Sequence, residues 1–542
     1  MAKKIMVQGT GSGVGKSVIV AALCRIFSQD GYEVAPFKSQ NMALNSYVTA
    51  DGLEIGRAQA FQAFAARKEP RVEMNPILLK PTSETGAQVV VRGKPVGNLT
   101  AKEYHEFKPA ALSLVKDCFE KLERENEIVV VEGAGSPAEV NLRENEIVNM
   151  RIAKLLDAPV LLVGDIDKGG VFAWVVGTLE LLEEDERGRV KGILINKFRG
   201  DLDILKPGLE FLERRVGKPV VGVVPYFQGI KIQEEDSLAL SVLAEEGEGK
   251  EKEKEKGAEK KEEKGAEKGE ITIEVVRLPH ISNFTDFDVL EANDEEEQEE
   301  AAEGVSLRYV GSCEEISEPD VIILPGSKNT IGDLEWLKKT GCAAEIVERA
   351  RSGECVVFGI CGGYQMLCES LRDPEGVESK LRETAGLGLL PATTIFESHA
   401  RKMTNQVRAT ADLPFYNGEV AGYEIHMGRT YFPAGSEKVK KGFTIFERSG
   451  EKVREREDRG GAVSESGNVI GTYIHGIFDN DAFRQAFLDF VRRRKGLPPL
   501  GVNKDKEKSE SRRGIDWERE YDKLADLVRE NIDVKKVYEI LD

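Results

Sequence analysis

A glycine-rich run near the start of the chain has the residues and spacing of a phosphate-binding loop. Gly9-Thr-Gly-Ser-Gly-Val-Gly-Lys-Ser17 follows a predicted strand and precedes a predicted helix. In that setting backbone N–H groups face an anion, the lysine reaches the terminal phosphates and the hydroxyl holds Mg²⁺. The common spacing would start at Thr10, but the first glycine is Gly9, so the loop is one residue longer. A glycine turn without nucleotide is the alternative. The sequence favours ATP bound through Gly9, Thr10, Gly13, Gly15, Lys16 and Ser17.

A magnesium ion at this loop needs a carboxylate in addition to the hydroxyl of Ser17. Glu132 is the first choice, because it lies at the carboxyl end of a predicted buried strand, where α/β sheets bind their ligands. Asp51, in Thr-Ala-Asp-Gly-Leu-Glu, is the second choice. Either acid could instead be an ordinary cap or a solvated side chain. Asn196 ends another predicted strand and could contact adenine, although a strand-end cap is the competing role.

The second reactive motif is Val356-Val-Phe-Gly-Ile-Cys361-Gly-Gly-Tyr-Gln. A predicted strand ends, glycines turn the chain, and a predicted helix starts directly after the cysteine. This is the layout of a nucleophile elbow with sulfur in place of oxygen. A helix N-terminus favours the thiolate. The N–H of Gly362, with a second donor from Gly326 in Leu-Pro-Gly-Ser, could stabilise a tetrahedral oxyanion. A buried, inert thiol is the alternative.

A cysteine nucleophile needs a base, and His475 is the best placed of the five histidines. It ends a strand-like run in Thr-Tyr-Ile-His-Gly-Ile-Phe-Asp. His426, in Tyr-Glu-Ile-His-Met-Gly, is the rival, for which we favour a structural or substrate-side role. Distance along the chain is no objection, because such partners meet only in the folded protein. We therefore predict a catalytic pair of Cys361 and His475.

The elements that must position these residues are short apolar strands that alternate with helices. The strands of the first half lack alternating polarity and are rich in Val, Ile and Leu, as in parallel sheets buried on both faces. They are Lys4–Gln8, Ile128–Val131, Pro159–Val163, Gly192–Asn196 and Pro219–Val224, and the helices between them include Ser17–Gln29 and Ala110–Arg124. This alternation predicts a doubly wound α/β domain.

A second α/β pattern begins at Ile271. Its predicted strands are Ile271–Arg277, Val321–Leu324 and Val356–Gly359, followed by shorter strands and more turns from Pro391 to Ile474. The Lys/Glu/Gly run Glu245–Gly269 has no apolar face, which predicts a solvated linker, and the acidic run Glu291–Glu303 predicts a surface loop. Lys504–Arg513 is charged, and the last 25 residues predict one amphipathic helix or two. The predicted organisation is an ATP-binding domain at 1–243, a Lys/Glu-rich linker at 244–270, a cysteine-bearing α/β domain at 271–500 and a charged, helical tail at 501–542.

Composition narrows the classes of function. The formal net charge is −19, but 11 of these excess charges lie in Glu245–Glu270 and Glu291–Glu303. The remainder is only mildly acidic and gives no sign of nucleic-acid binding. The seven cysteines form no CxxC pair, which argues against a disulfide framework or a zinc site. No apolar run approaches the roughly 18–20 residues that span a bilayer, and no signal-peptide core follows Met1. We expect a cytoplasmic location, with neither a nucleic-acid nor a membrane partner.

Two motifs together resemble known families. The elbow around Cys361, with the distant Tyr-Ile-His475-Gly, resembles a class I glutamine amidotransferase domain. The lengthened loop resembles that of dethiobiotin synthetase and its amide-forming relatives. Joined in this order, the two domains are similar to the cobyric acid synthase family over nearly the whole chain outside the charged stretches and the tail. The runs that carry the resemblance are Phe37–Asn45, Met74–Pro81, Glu132–Leu142, Asp165–Ala173, Asn196–Asp201 and Gly422–Gly428.

The resemblance implies an ATP- and Mg²⁺-dependent carbon–nitrogen ligase of cobalamin biosynthesis. ATP would convert a corrinoid carboxylate into an acyl phosphate, and ammonia released from L-glutamine at Cys361 would attack it. The implied substrate is adenosylcobyrinic acid a,c-diamide, amidated at its b, d, e and g carboxylates. Such a polyanion needs cationic contacts, although each cation in the family-like runs could equally form a surface ion pair. The cations we name are Lys80, Arg151, Lys168 and Arg199.

The sequence departs from the common amidotransferase triad at one position. Many members of that class carry a glutamate two residues after the histidine, where this chain has Ile477. The family that it resembles shares this feature and is thought to use a Cys–His dyad. Asp479 or Glu424 could partly replace the missing carboxylate, but neither is favoured.

Four other functions stay open. Cobyrinic acid a,c-diamide synthase has a similar layout, but Gln40-Asn-Met and the run Asp165–Gly170 favour the cobyric acid synthase family. Enzymes that amidate a cell-wall precursor normally keep the two domains on separate chains. A partitioning or metal-insertion ATPase with a non-catalytic amidotransferase-like module usually has a lysine where this loop has Gly11. A corrinoid carrier would leave Lys16 and Cys361 without a role.

Overall fold

The computed structural model describes residues 2–83, 86–227, 229–233, 271–290, 304–397, 402–433, 439–453, 459–499 and 514–542. The predicted linker Glu245–Gly269, the loop Glu291–Glu303 and the stretch Lys504–Arg513 lie outside the described residues. The first of two compact units comprises Met1–Ala43, Glu54–Gln233 and Asp516–Asp542, and the second comprises Leu44–Leu53 and the described part of Glu234–Ile515. Among the helices of the described ranges, none has the length and apolar character needed to cross a bilayer.

The first unit is built on a six-stranded sheet in which all neighbouring strands are parallel. The order across the sheet is Val220–Pro225, Val190–Phe198, Val160–Asp165, Lys3–Gly9, Ile128–Glu132 and Val34–Phe37. The five predicted strands are confirmed, as is the α/β class. Val34–Phe37 was not predicted. The central strands are buried along their length because Val, Ile and Leu fill both faces.

Helices and a smaller sheet complete this unit. The helices are Lys16–Gln29, Arg57–Ala65, Ala101–Glu125, Met150–Leu156, Val171–Leu181, Glu184–Arg189 and Leu202–Val216, with 3₁₀ turns at Val72–Met74 and Arg143–Asn145. The smaller sheet contains Gln40–Met42, Ile77–Ser83, Gly86–Val91 and Lys94–Thr100, and Glu54–Gly56 is a short strand. The long helix starts nine residues before the predicted Ala110, because Thr100 and Glu103 form a capping box and Pro109 is accommodated inside the helix.

The end of the chain forms two helices, Trp517–Asn531 and Val534–Leu541, that belong to the first unit. Leu524 and Val528 are buried in the same apolar cluster as Val20 of helix Lys16–Gln29. The guanidinium of Arg25, which is 1% exposed, pairs with Asp522 and Glu518, each at 2.7 Å. The two helices of the predicted tail are thus packed elements of the first unit.

The second unit contains an eleven-stranded mixed sheet. Its order is Val305–Val310, Ile271–Val276, Val321–Leu324, Val356–Ile360, Val469–Thr472, Arg459–Val463, Lys440–Arg448, Met403–Leu413, Tyr416–His426 and Ile474–His475, with Glu451–Lys452 beside Lys440–Arg448. The first five strands in this order are parallel, the others antiparallel. The three predicted strands are confirmed. The expectation of short strands after Pro391 is corrected by two antiparallel strands of 11 residues each, Met403–Leu413 and Tyr416–His426.

Shorter elements surround this sheet. The helices are Thr330–Thr340, Cys342–Ser352, Gly362–Met366 and Asp481–Arg494, with 3₁₀ turns at Phe284–Leu290 and Ile477–Asp479. Ile281–Ser282 pairs with Gly326–Ser327, and a four-stranded sheet contains Glu383–Ala385, Cys368–Arg372, Leu390–Ile395 and Arg429–Tyr431. Ser46–Val48 is a short strand in the segment Leu44–Leu53.

Candidate active sites

The glycine-rich loop connects strand Lys3–Gly9 to helix Lys16–Gln29 at the carboxyl edge of the parallel sheet. The ammonium group of Lys16 donates to the carbonyl oxygens of Gly11 at 2.9 Å and Gly135 at 3.1 Å. The N–H of Thr10 donates to the carbonyl of Val163 at 2.9 Å, which ties the loop to the neighbouring strand. Lys16 therefore lies over the loop, as a phosphate-binding lysine must.

Asn196 braces the loop from the next strand but one. Its side-chain amide donates to the carbonyl of Val14 at 2.9 Å. Gly15 has a φ of 94°, and a Cβ atom built on it would lie 2.2 Å from Nδ2 of Asn196, so this position needs glycine. The bond to the loop gives Asn196 a structural role, and its contact to adenine stays a prediction.

Glu132 is the centre of a buried hydrogen-bond cluster beside the loop. One oxygen accepts from the Ser17 hydroxyl at 2.7 Å and the Lys38 ammonium at 2.9 Å, and the other accepts from the amides of Gln62 at 2.5 Å and Gln59 at 3.4 Å. Burial alone would raise the pKa of Glu132, but the charge of Lys38 and these hydrogen bonds outweigh it and lower the pKa. Glu132 is thus a carboxylate at neutral pH, next to the hydroxyl at the start of the helix.

The other predicted magnesium ligand is Asp51, and its role as a ligand stays a prediction. Asp51 belongs to the second unit, where it accepts a hydrogen bond from the Thr49 hydroxyl. In the portion of the chain that the structure describes, no three His, Cys, Asp or Glu side chains are grouped as a metal cluster. In the first unit the Glu132 carboxylate and the Ser17 hydroxyl lie together beside the loop.

Two of the cations named for substrate binding are engaged in contacts of their own. Lys80 forms an ion pair with Glu54 at 2.8 Å, and both side chains are buried. Arg199 stacks on the ring of Tyr226 at 3.4 Å and pairs with Asp167 at 2.9 Å. Lys80 is thus buried against an acidic partner, whereas Arg199 is about half exposed, and a substrate contact of either stays a prediction.

The remaining two predicted cations are Lys168 and Arg151. A Cβ atom built on Gly13 would lie 3.8 Å from Nζ of Lys168, which places this ammonium group beside the phosphate loop. Arg151 donates to the carbonyl of Glu144 at 3.2 Å. Lys168 thus lies beside the loop, and its contact with the substrate stays a prediction.

The cysteine motif forms a strained elbow. Cys361 follows strand Val356–Ile360 and has a φ of 52°, a left-handed conformation that residues other than glycine rarely adopt. A Cβ atom built on Gly363 would lie 1.9 Å from the carbonyl oxygen of Leu324, so the turn can approach the neighbouring strand only with glycine here. The predicted helix after the cysteine is present but has only five residues, Gly362–Met366.

His475 and a carboxylate that the sequence analysis missed complete this site. Nδ1 of His475 lies 2.6 Å from Oδ2 of Asp286, and the other oxygen of Asp286 accepts from the N–H of Gly476 at 3.1 Å. Cys361 lies close enough to the imidazole to raise its pKa. Burial alone would lower the pKa of His475, but Asp286 and Cys361 together raise this pKa to about 9. The imidazole is therefore held protonated, between a sulfur and a carboxylate.

Asp286 corrects the expectation of a Cys–His dyad. It lies on the 3₁₀ turn Phe284–Leu290, 189 residues before His475, rather than two residues after it. Neither suggested substitute orients His475: Glu424 pairs with Arg448 at 2.8 Å, and the carboxylate of Asp479 faces Gly476. The signal in the sequence was the polar run Ser282-Asn-Phe-Thr-Asp286 shortly after the predicted strand Ile271–Arg277.

The two predicted oxyanion donors lie at the Cys–His pair. A Cβ atom built on Gly326 would lie 3.1 Å from Cε1 of His475, and one built on Gly362 would lie 2.8 Å from the backbone N of Ser327. Their role as donors stays a prediction. His426 instead stacks on the ring of Tyr473, with 3.8 Å between centroids, and its Nδ1 lies 3.0 Å from the carbonyl of Gly428. That packing is consistent with the structural role favoured for His426.

A parallel sheet with a phosphate loop and a second sheet with a Cys–His–Asp site define a nucleotide-binding domain joined to a glutamine amidotransferase domain. Comparison with family models agrees: residues 5–239 match the CobQ/CobB/MinD/ParA nucleotide binding domain, and residues 272–483 match the CobB/CobQ-like glutamine amidotransferase domain.

Comparison with individual proteins shows to which family the chain belongs. The chain is 51% identical to the cobyric acid synthase of Thermoanaerobacter sp. (strain X514), with 100% of this chain and 99% of the relative covered. It is 50% identical to the cobyric acid synthase of Alkaliphilus metalliredigens (strain QYMF), with 99% of each chain covered. It is 49% identical to the same enzyme of Caldanaerobacter subterraneus subsp. tengcongensis, over 100% of this chain and 99% of the relative. The chain belongs to the cobyric acid synthase family.

Proposed function

We propose that this protein converts side-chain carboxylates of a corrinoid into amides, with ATP as the activating substrate and L-glutamine as the nitrogen donor. The observation that carries the proposal is the Cys361–His475–Asp286 site, on the same chain as the phosphate loop with Lys16 and Glu132. Relatives named cobyric acid synthase cover both domains, which supports the same substrate class.

The cysteine site releases ammonia from glutamine. The Cys361 sulfur attacks the side-chain amide carbon, and the N–H of Gly362 and Gly326 stabilise the oxyanion. The C–N bond breaks as the His475 imidazolium donates its proton to the departing nitrogen, so ammonia and a thioester form. Water then hydrolyses the thioester to glutamate, with His475 accepting the proton from water. Asp286 holds the imidazole in one orientation throughout, because Nδ1 is occupied by the carboxylate.

The phosphate loop activates the acceptor. A corrinoid carboxylate oxygen attacks the terminal phosphorus of ATP, ADP leaves, and an acyl phosphate forms; ammonia then attacks the acyl carbon and phosphate leaves. Lys16 lies where it can neutralise charge on the transferred phosphoryl group. The hydroxyl of Ser17 and the carboxylate of Glu132, 2.7 Å apart, form an oxygen donor set that fits Mg²⁺. When bound, Mg²⁺ supplies neutralisation of the phosphate charge.

We further propose adenosylcobyrinic acid a,c-diamide as the substrate, amidated at its b, d, e and g carboxylates. The substrate is a polyanion beside a triphosphate, so a cation at the loop is needed to offset their repulsion. Of the four cations named from the sequence, Lys168 is our first choice because it lies beside the loop, and Arg199 is the second choice.

Mass spectrometry of the corrinoid tests the proposal. The full chain is incubated with ATP, Mg²⁺, glutamine and adenosylcobyrinic acid a,c-diamide. Each replacement of OH by NH₂ lowers the mass by about one unit, so four successive losses are expected. Cys361→Ala should abolish the losses with glutamine but not with ammonia. An unchanged corrinoid, with ATP and glutamine still consumed, would assign the enzyme to a different carboxylic acid.

A further inference from the structure

The second unit includes ten residues from the first half of the chain, Leu44–Leu53, which we name the strap. The strap begins at the end of the family-like run Phe37–Asn45, to which the mechanism above assigns no role. Val48 of the strap is buried together with Tyr423 and Ile425, and its carbonyl accepts from the Gln406 side chain. The strap is therefore packed into the amidotransferase unit rather than lying free on its surface.

Two hydrogen bonds connect the strap to a single residue, Asn283. The side-chain oxygen of Asn45 accepts from the N–H of Asn283 at 2.7 Å, and the N–H of Ser46 donates to the side-chain oxygen of Asn283 at 3.0 Å. All three residues are buried. Asn283 has a φ of 55°, which asparagine tolerates better than most residues. The reciprocal pair therefore fixes both the backbone and the amide of Asn283.

Asn283 in turn contacts both groups that flank the imidazole of His475. Its side-chain N–H donates to the Tyr423 hydroxyl at 3.1 Å, and its carbonyl accepts from the N–H of Asp286 at 3.1 Å. The Tyr423 ring is stacked on the His475 ring, with 5.2 Å between centroids and an interplanar angle of 16°. Asp286 holds one edge of the imidazole through Nδ1. One residue thus supports the aromatic and the acidic neighbour of the catalytic base.

We propose that Asn45 and Ser46 of the strap, acting through Asn283, are positioning residues for glutamine hydrolysis. They touch neither glutamine nor the reacting atoms; they hold Tyr423 and Asp286 in place, and these hold His475. Misplacing a catalytic group by about 1 Å can lower the rate about a hundredfold, because the alignment matters in the transition state. In sequence the strap lies between two segments of the first unit, so the cysteine site depends on residues that lie far before its own domain in the chain.

The test is steady-state glutamine hydrolysis by the full chain. Asn45→Ala removes the acceptor for the Asn283 N–H, and Asn283→Gly removes the amide but keeps a residue that accepts φ > 0. We expect each to lower kcat for glutamine hydrolysis about tenfold or more, with a KM for glutamine close to that of the unchanged protein. Asn45→Asp retains an acceptor oxygen and should keep most of the kcat of the unchanged protein. Ala50→Ser, at an exposed strap position, is the matched control and should change nothing.

Two further readouts separate this inference from the proposed function on which it rests. Ammonia-dependent amidation should be unchanged in the strap variants and in Asn283→Gly. This result would show that these proteins are folded. Glutamine hydrolysis by Cys361→Ala would overturn the assigned cysteine chemistry and the strap inference with it. If Cys361→Ala is inactive while Asn45→Ala and Asn283→Gly both hydrolyse glutamine at the unchanged rate, only the strap inference is overturned. A loss through KM alone, or a loss shared by Ala50→Ser, would also overturn it.

Discussion

The phosphate loop and the cysteine elbow are built from the same parts but obtain their chemistry in different ways. Each follows a buried parallel strand, turns on glycines and opens a helix. The loop places Lys16 and Ser17 next to each other on a 14-residue helix and takes one carboxylate, Glu132, from a neighbouring strand. The elbow opens a helix of only five residues and takes His475 and Asp286 from separate elements. Phosphate binding needs a local backbone shape, whereas moving a proton to and from sulfur needs partners supplied by the whole fold.

The largest effects should distinguish the two regions by nitrogen source. Lys16→Ala should lower amidation about a thousandfold or more with either glutamine or ammonia, because both reactions need the activated carboxylate. Cys361→Ala should cause a loss of similar size with glutamine only. Corrinoid products with each donor, separated by chromatography, provide the measurement. Equal losses with both donors for Cys361→Ala would break the separation of the two sites.

The second largest effect is expected for Asp286, the carboxylate that lies at Nδ1 of His475. Asp286→Asn removes the charge that orients and stabilises the imidazolium, and we expect kcat for glutamine hydrolysis to fall about 10²–10⁴-fold. Ammonia-dependent amidation should be retained. Asp479→Asn is the matched control, since that carboxylate does not contact the His475 ring in the described structure, and its effect should be small. Comparable losses for the two variants would contradict the role of Asp286.

A smaller effect is expected in the pH dependence of glutamine hydrolysis, which also tests the role of Asp286. The pKa of His475 is raised to about 9, so the imidazolium is present below that pH and is lost as the pH rises through it. kcat/KM for glutamine should therefore fall on the alkaline side near pH 9. Without the Asp286 charge the pKa drops, so the alkaline limb of Asp286→Asn should move to lower pH. A limb at the same pH in both proteins would mean that another group titrates.

The residues of the phosphate loop were easier to predict from the sequence than the complete cysteine site. Lys16, Ser17, Glu132, Cys361 and His475 were identified because each sits in a run whose local pattern of strand, glycine and polar residue indicates its position. Asp286 was missed because its partner lies 189 residues away and only the fold joins them. The strap was missed for a related reason: its residues continue the first domain in sequence but pack in the second unit. The fold class and the nucleophile could be predicted from local sequence patterns. The residues that support His475 could not, because only the fold brings them to it.

The smallest expected effect on catalysis concerns the C-terminal helices. Leu524→Ala should lower the free energy of unfolding by about 2–5 kcal/mol, because a side chain that is 1% exposed would leave a cavity beside helix Lys16–Gln29. Asp526→Ala, at an exposed position of the same helix, should change it by less than about 0.5 kcal/mol. Urea unfolding measures both. Because the change lies in the first unit, kcat for glutamine hydrolysis under native conditions should be unchanged.

Tracing the amide nitrogen tests the central claim, that the cysteine site feeds the phosphate site, most directly. The full chain is given ATP, Mg²⁺, adenosylcobyrinic acid a,c-diamide and glutamine labelled with ¹⁵N at its side-chain amide, in a medium containing unlabelled ammonium. The account predicts a product about one mass unit heavier per new amide than the product from unlabelled glutamine, with the label absent in Cys361→Ala. An amidated corrinoid without label, formed while glutamine is hydrolysed, would contradict it.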